Sequence, residues 1–376
     1  MAIFSVMGKA PAGARLERMR RSPNFKGDHF ENLVPTPVAK EGVSFFKLLR
    51  EYWNRPADTA PKQRLPSVRT DLRALAGEGV WVVWFGHSSY LLKVEGVTIL
   101  VDPVFSGNAS PVSLFAKAFK GTEVYGVAEM PDVDILLLTH DHYDHLDYKT
   151  VKALAPKAGM ICTSLGVGAH LESWGVAAEK IVELDWWESW EWGGGPGGAG
   201  VVGRGGTGVG SAAGGLAAGG LAAGGLRFTA APARHFSGRS FKRGGTLWSS
   251  FVLQGRGHSL YLGGDSGYEA HFKTIGERFG PFELAILECG QYNKSWPYIH
   301  MMPEQTVQAA IELRAAALMP VHWGKFTLSL HPWSEPVRRV VIEAEKRGMP
   351  VATPMIGELV KVGGEYPNVR WWEGLK

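Results

Sequence analysis

Short apolar or alternating runs, separated by turn residues, begin at Val80 and continue almost to the end of the chain. Runs of this kind are typical of β-strands, whereas apolar residues three and four positions apart indicate helices. The pattern predicts strands at 80–85, 89–94, 97–103, 132–139, 159–163, 180–184, 226–230, 249–254, 259–262, 284–287, 317–320 and 357–362. It predicts helices at 150–154, 269–279, 303–315 and 335–347.

Strand-rich blocks that include helices therefore occur twice along the chain. This repetition predicts an α/β fold in which two sheets pack against each other and helices cover both outer faces. We assign this fold to one domain, residues 44–376, which opens with a short amphipathic helix over 44–53. Residues 1–43 show little hydrophobic periodicity, and we predict that they form an N-terminal arm. Its basic cluster is expected on the solvated surface, with contact to lipid headgroups as the alternative, and consists of Arg15, Arg18, Arg20 and Arg21.

Glycine is the compositional outlier, with 49 of 376 residues. Much of the excess lies in 193–226, where 17 of 34 residues are glycine and the segment AAGGL occurs three times. Such a composition is typical of a flexible low-complexity segment, which we place at 193–225 as an insertion within the domain. The segment also matches G-x-G-x-x-G at 203–208, but no strand and crossover helix frame it, so we attribute the match to composition.

Charge and cysteine content exclude several protein classes. A formal net charge of +4 gives no electrostatic signature of a nucleic-acid binder. The two cysteines, Cys162 and Cys289, are too few for a disulfide framework or a cysteine-based zinc cluster. The apolar start, residues 1–7, is too short for a signal peptide, and no run reaches the length of a membrane span. We therefore expect a cytoplasmic protein.

The chemistry concentrates in residues 139–147, THDHYDHLD, directly after the strand predicted at 132–139. Ligands are commonly held at the ends of strands in α/β sheets. Imidazole and carboxylate groups are ligands of zinc, iron and manganese, and no cysteine is required. The segment therefore predicts a divalent metal site. Its candidate ligands are His140, His142, Asp144 and His145.

This H-x-H-x-D-H motif after an apolar strand resembles the signature of the metallo-β-lactamase superfamily. The resemblance implies a four-layer αββα sandwich that binds two metal ions at the sheet edges. It also implies further ligands that each follow a strand, and His235, Asp265 and His322 occur in the expected order. Asp102 matches the buried acidic residue that the superfamily keeps near its first strands, which we expect to support the ligands.

Other stretches resemble the N-acylphosphatidylethanolamine-hydrolysing phospholipase D family and its bacterial, UlaG-like lactonase relatives. These stretches include GHSSYLL, DPVFS, RHFSGR, LWSSFVL, GGDSGY, RFGPFELAIL and MPVHWGKF, and they extend from about Trp81 to Phe326. The chemistry and the resemblance assign His140, His142 and His235 to one ion. They assign Asp144, His145 and His322 to a second ion, with Asp265 between them.

The remaining candidates lie outside this ligand set. The resemblance implies that His300 lines the site and stabilises charge on a substrate phosphate, with a surface histidine at a helix start as the alternative. Asp144 or Asp265 is expected to orient the attacking hydroxide. His87 and His331 are candidate substrate contacts, His87 in a turn near the site and His331 at the pocket mouth, with structural hydrogen bonding as the alternative for His87. Asp141 is expected behind a ligand histidine. A tryptophan cluster is expected to pack beneath the sandwich, with an acyl-chain groove as the alternative. It comprises Trp186, Trp187, Trp190 and Trp192.

We therefore expect a hydrolase with two divalent ions, most simply Zn²⁺, with iron or manganese as alternatives. The expected reaction is attack of a metal-held hydroxide on a phosphodiester of an N-acylated phospholipid. A lactonase or carboxyl-ester hydrolase, a nuclease and a non-catalytic scaffold are the alternatives, since superfamily resemblance does not fix the substrate. The expected partners are a phospholipid or small-molecule substrate and a membrane surface, without nucleic acid, and the resemblance implies a homodimer.

Overall fold

The computed structural model describes residues 2–40, 50–51, 53–75, 77–193, 202–203, 225–239 and 242–375. The helix predicted at 44–53 falls mostly outside these residues. The same holds for the glycine-rich insertion, of which only 193, 202–203 and 225 are described.

Two seven-stranded sheets form the centre of the molecule. Strands are numbered along the chain. The first sheet, in spatial order, contains β16 (Leu359–Lys361), β3 (Val80–Trp84), β4 (Tyr90–Val94), β5 (Val97–Val101), β6 (Val133–Leu138), β7 (Ala158–Ser164) and β8 (Ile181–Leu184). The second contains β10 (Val202–Gly203), β9 (Ser189–Trp192), β11 (Leu226–Ala231), β12 (Ser250–Gly255), β13 (His258–Leu262), β14 (Leu284–Glu288) and β15 (Leu318–Val321).

Helices of the described residues cover the outer faces of both sheets. The first sheet carries α3 (Tyr148–Leu154) and α4 (Gly168–Ser173), and the second carries α5 (His271–Phe279), α6 (Pro303–Glu312) and α7 (Glu335–Arg347). Side chains alternate along each strand, so neighbouring residues face opposite layers. Val82 of β3 belongs to the large core that includes both sheets, whereas Val83 packs in a separate core with the α3 residue Val151. This layering confirms the predicted αββα sandwich.

The parallel strands place their carboxyl ends at one edge of the sandwich. Strands β5 to β8 are parallel, and so are β13 to β15. Loops that leave these ends therefore converge at this edge. His140 follows β6, Asp265 follows β13 and His322 follows β15.

The N-terminal arm packs on the sandwich rather than extending into solvent. It contains α1 (Ala2–Met7), α2 (Gly13–Arg20) and the short hairpin strands β1 (Phe25–Lys26) and β2 (His29–Phe30). Met19, Phe25 and Phe30 form a small core with Trp186 and Trp248. The basic cluster is largely paired: Arg15 contacts Glu172 and Glu183, Arg18 contacts Glu188, and Arg20 contacts Glu17. These ion pairs weaken the alternative of a headgroup-binding arm.

The tryptophan cluster also lies inside the protein. Trp186, Trp190 and Trp192 are only 5%, 1% and 5% exposed. Trp190 stacks on Phe228 of the neighbouring strand β11. The packing interpretation therefore holds for these three residues. Among the described residues, no helix has the length and apolar character that a bilayer crossing requires.

Candidate metal centre

The loop that follows β6 carries the densest set of candidate ligands. It runs from His140 to Asp147 and ends where the Asp147 carboxylate caps α3 by accepting the Lys149 amide. His140, Asp144 and His145 are buried, and His142 is partly buried. The fold therefore holds the motif beneath the surface, at the carboxyl edge of the first sheet.

Three groups of donor atoms converge at this loop, and the atoms of each group lie within 4.8 Å of one another. The first group contains His140, His142, His235 and Asp265, the second contains His87, Asp144, His145 and His322, and the third contains Asp265, His300 and His322. Asp265 Oδ2 lies 3.7 Å from His235 Nε2 and 3.2 Å from His145 Nε2. The carboxylate therefore lies between the first two groups. The seven residues that the sequence analysis assigned to two ions lie in these groups, and the second group also contains His87.

The donor atoms have the chemistry of a metal site. Within the described part of the chain, the buried Nε2 atoms of His140 and His145 have no hydrogen-bond partner. An unpaired buried polar atom costs roughly 1–3 kcal/mol, so two such atoms at one point favour a bound ligand there. His142 Nδ1 and His235 Nε2 also face each other at 3.1 Å. Imidazole nitrogens and carboxylates fit zinc, iron or manganese, so these residues fit divalent ions.

Hydrogen bonds behind the ligands fix which nitrogen faces the centre. Asp102 Oδ2 accepts from His145 Nδ1 at 2.8 Å and from the Thr139 hydroxyl at 2.6 Å. That hydroxyl lies 3.0 Å from His140 Nδ1, so it can accept from this ring. His235 Nδ1 donates to the Ile299 carbonyl at 2.8 Å. Each ring therefore presents Nε2 to the centre, as outer hydrogen bonds do in metal sites.

The same environment controls the charges. Burial, reinforced by neighbouring histidines, holds the pKa of His140 and His322 well below the ordinary value. Burial also lowers the pKa of His145, but Asp265, Asp144 and Asp102 outweigh it and the pKa ends well above the ordinary value. Burial opposes ionisation of Asp265, yet His145 and other histidines lower its pKa to about 2. The centre thus favours ionised carboxylates and neutral rings at His140 and His322, which are the forms that bind metal, whereas a metal ion would have to displace a proton from His145.

Unusual backbone geometry accompanies the ligands. Asp102, His87 and His322 have positive φ angles of 41°, 54° and 66°. Such conformations are uncommon outside glycine and persist where surrounding contacts impose them. Gly264, directly before Asp265, has a φ of +59°, and a Cβ there would lie 3.0 Å from Thr139 Cβ. Glycine therefore allows the Asp265 turn to approach the loop after β6.

Neither His87 nor His331 lines the cavity that contains His300, and each has a supporting contact instead. His87 is fully buried and its Nε2 bonds Asp144 Oδ2 at 2.9 Å. It therefore holds a candidate ligand from behind. His331 Nε2 accepts from the Gln291 amide at 2.8 Å, and its Nδ1 lies 2.9 Å from the Pro332 carbonyl. Because backbone groups occupy both ring nitrogens, His331 braces the loop at Gln291.

Asp141 also differs from its expected role behind a ligand histidine. Its carboxylate accepts from the Gly238 amide at 3.0 Å and from the Thr246 hydroxyl at 3.1 Å. Its remaining ring contact is His170, with Nε2 at 3.4 Å. Asp141 therefore ties the motif loop to Gly238 and Thr246.

His300 lies at a small cavity above the donor groups. Its ring centre is 5.1 Å from the ring centres of both His235 and His322. The cavity has a volume of about 180 Å³. It is lined by His142, Asp144, His235, Phe236, Asp265, Gln291, Trp296, Ile299, His300, His322 and Leu328. His300 is thus placed to contact a group bound over the centre.

Four supporting residues were not predicted as parts of the site. Asn32 of the arm bonds the backbone of His235 in both directions, at 2.7 and 3.0 Å. Ser88 Oγ contacts His322 Nδ1 at 2.9 Å. Thr139 links Asp102 to His140, as described above, and Glu288 lies beside His300 at 3.5 Å. Two of them could have been predicted from their positions, because Thr139 and Glu288 both lie at the carboxyl end of a buried strand.

Comparison with known proteins identifies the fold family. The sequence profile described as Beta-lactamase superfamily domain matches residues 97–323. That range contains all seven candidate ligands. Among solved structures, the metallo hydrolase Igni18 from the archaeon Ignicoccus hospitalis is similar in fold, with a TM-score of 0.51 and 20% identity. The match covers 76% of this chain and 99% of that chain.

Two relatives are similar over most of this chain. An uncharacterized protein of Mycobacterium tuberculosis (strain ATCC 25618 / H37Rv) is 37% identical over 362 residues, covering 94% of this chain and 88% of that protein. The mitochondrial N-acyl-phosphatidylethanolamine-hydrolyzing phospholipase D of Saccharomyces cerevisiae (strain ATCC 204508 / S288c) is 30% identical over 276 residues. That match covers 72% of this chain and 53% of the yeast protein.

Proposed function

The chain belongs to the β-lactamase superfamily, and from this premise we propose that it is a phospholipase D-type phosphodiesterase acting on N-acylphosphatidylethanolamine-like lipids. The fold and the donor groups make it a metal-dependent hydrolase. The observation that carries the proposal is the position of the Asp265 carboxylate between the first two groups, beneath a cavity whose lining includes His300. The similarity to the yeast phospholipase D supports the choice of lipid.

Two divalent ions held by these residues would supply Lewis acidity and would activate water for in-line attack at phosphorus. We propose Zn²⁺ as the resident metal. His140, His142 and His235 would hold one ion, and Asp144, His145 and His322 the other. Asp265 would contribute to both, because its carboxylate lies between the groups. The buried hydrogen bonds of Asp102 and His87 keep these donors oriented.

The protein's own groups handle the protons and the substrate. Hydrolysis forms a bond between the water oxygen and phosphorus and breaks the bond from phosphorus to the leaving alcohol. Asp144 or Asp265 would orient the water through a carboxylate oxygen, and the proton that the water gives up would pass to the oxygen of the leaving alcohol. His300 would face the phosphate and stabilise its developing negative charge, since it lines the cavity between the rings of His235 and His322.

The size of the cavity favours recognition of the headgroup region. A volume of about 180 Å³ is below the ~300–1,000 Å³ of pockets that enclose whole drug-sized ligands. It suits a phosphodiester group, with the acyl chains outside. Phe236, Trp296 and Leu328 provide apolar surface in the lining, and Tyr298 beside them is 37% exposed. These side chains support an amphiphilic substrate presented at a lipid surface.

A substrate panel tests the proposal. Protein loaded separately with zinc, iron or manganese is supplied with an N-acylphosphatidylethanolamine in mixed micelles, a soluble phosphodiester, an acyl lactone and single-stranded DNA. We expect cleavage of the lipid to a phosphatidic acid and an N-acylethanolamine. Hydrolysis of the lactone alone would replace the proposal with a lactonase, and selective cleavage of DNA would replace it with a nuclease. His140→Ala combined with His142→Ala serves as the inactive control.

A further inference from the structure

Glu288 is a buried carboxylate that the proposed mechanism has not used. It is the last residue of β14, which lies between β13 and β15 in the second sheet. The strands on either side lead to Asp265 and His322, so the carboxyl end of the middle strand reaches the same edge. Glu288 is 0% exposed and belongs to none of the donor groups found among the described residues. Glu288 is therefore a buried carboxylate close to the candidate ligands but outside their groups.

The contacts of Glu288 link it to His300. Glu288 Oε1 accepts from the Met301 amide at 2.7 Å, which ties the carboxylate to the backbone that carries His300. The same oxygen lies 3.5 Å from His300 Nδ1. Glu288 Oε2 and His300 Nδ1 are both buried and lack another partner within the described chain. Two adjacent unpaired groups, one an acceptor and the other a potential donor, lower their desolvation cost by pairing.

We propose that Glu288 is a positioning residue that fixes the orientation and tautomer of His300. A proton on Nδ1 directed at the carboxylate leaves Nε2 facing the cavity. The pair resembles Asp102 and His145, in which a buried carboxylate also faces the Nδ1 atom of a histidine at the site.

This inference rests on metal-dependent hydrolysis at the site but not on the identity of the lipid. It is therefore measured on whichever substrate of the panel the protein cleaves. Glu288→Gln keeps the size of the side chain and an oxygen for the Met301 amide while removing the charge. Glu283→Gln is the matched control, because Glu283 lies just before the opposite end of β14 and bonds Ser259 and His258.

We expect Glu288→Gln to lower kcat by about 10- to 100-fold, the usual effect of removing a group that orients an active-site residue. KM and metal content should remain within twofold of the wild type, and Glu283→Gln should leave all three unchanged. Because Glu288 acts through His300, the double variant with His300→Ala should lose no more activity than His300→Ala alone. Losses that multiply in the double variant would overturn the proposal.

A spectroscopic readout separates positioning from general structural damage. In zinc-loaded protein labelled with ¹⁵N-histidine, the His300 signals, assigned by their loss in His300→Ala, should show a protonated Nδ1. Glu288→Gln should change the shifts of both His300 nitrogens and leave those of His258 unchanged. Identical His300 shifts in the wild type and Glu288→Gln would overturn the proposal. This measurement needs no substrate, so it stands apart from the fate of the phospholipase proposal.

Discussion

Replacement of Asp102 by asparagine should weaken metal binding without unfolding the protein. Asp102 is 1% exposed and accepts three hydrogen bonds: from the Thr139 amide at 2.8 Å, the Thr139 hydroxyl at 2.6 Å and His145 Nδ1 at 2.8 Å. Asparagine retains one acceptor oxygen but places an amide NH₂ where the second oxygen stood. Its φ of 41° is one that asparagine tolerates, so the substitution isolates the side-chain chemistry.

The expected magnitude follows from the His145 tautomer. With an NH₂ group facing Nδ1, His145 must give up its Nδ1 proton and carry it on Nε2, which blocks the nitrogen that faces the centre. Loss of such an orienting partner typically lowers metal affinity or activity 10- to 100-fold, or about 1.4–2.8 kcal/mol. The disrupted hydrogen bonds of a buried charged group should cost about 1.5–3 kcal/mol of stability.

The assay is competition between metal-free protein and a chromophoric zinc chelator, read together with kcat/KM and thermal unfolding. Asp134→Asn is the matched control, because Asp134 accepts from the Thr98 amide at 2.8 Å between β5 and β6, near the opposite end of these strands. We expect one of two zinc sites to weaken in Asp102→Asn and neither in Asp134→Asn. Wild-type zinc affinity at both sites in Asp102→Asn would refute the reasoning.

Three further predictions follow from other parts of the structure. Replacing 194–224 with a short Gly-Ser linker should leave metal content and kcat within twofold of the wild type. The reason is distance: Trp192 pairs with Leu226, the first residue of β11, and this end of the strand lies roughly 17–20 Å from the end that leads to His235. A larger loss of activity would contradict this. Burial opposes protonation of His258, but Glu95 and Glu283 outweigh it and raise the pKa of His258 above 6.5. The ion pairs of protonated His258 therefore stabilise the fold fully below pH 6.5, and this stabilisation is lost as the pH rises through the raised pKa. In denaturant unfolding, the stability difference between wild type and His258→Gln should be larger at pH 6 than at pH 8.5, and a difference independent of pH would argue against this. Arg239 donates to the carbonyl of Val6 in the N-terminal arm and to those of Asp141 and Leu146 in the motif loop. Because lysine cannot make all of these hydrogen bonds, Arg239→Lys should lower the free energy of unfolding by about 2–3 kcal/mol and speed chymotryptic cleavage within residues 2–40. An unchanged rate of cleavage would count against an anchored arm.

The elements with strong local signals were predictable from the sequence. The helix predicted at 335–347 is α7, with Pro336 in its first turn and Gly348 ending it at a φ of 65°. The helix predicted at 303–315 ends earlier, at Glu312, since Arg314 adopts a φ of 60°. Helix α4 was missed because it is short, begins with Gly168 and has no side-chain cap. Local chemistry predicts an element when its ends carry signals, and tertiary contacts decide the others.

The site divides along similar lines. The H-x-H-x-D-H motif brings its own residues together by local spacing, whereas His235, Asp265 and His322 required the family resemblance. Supporting residues such as Asn32 carried no motif, because that role depends on a contact with a residue some 200 positions away. His331 shows the converse: it lies near the last ligand strand, yet backbone groups occupy both of its ring nitrogens. Sequence thus gives the donors more readily than the groups that hold them.

Anomalous diffraction from zinc-loaded crystals tests the central claim most directly. Data on both sides of the zinc edge locate bound ions without reference to any activity. The account predicts two peaks, one among His140, His142 and His235 and one among Asp144, His145 and His322, with Asp265 in contact with both. A single peak, or peaks bound by other residues, would contradict the two-metal centre.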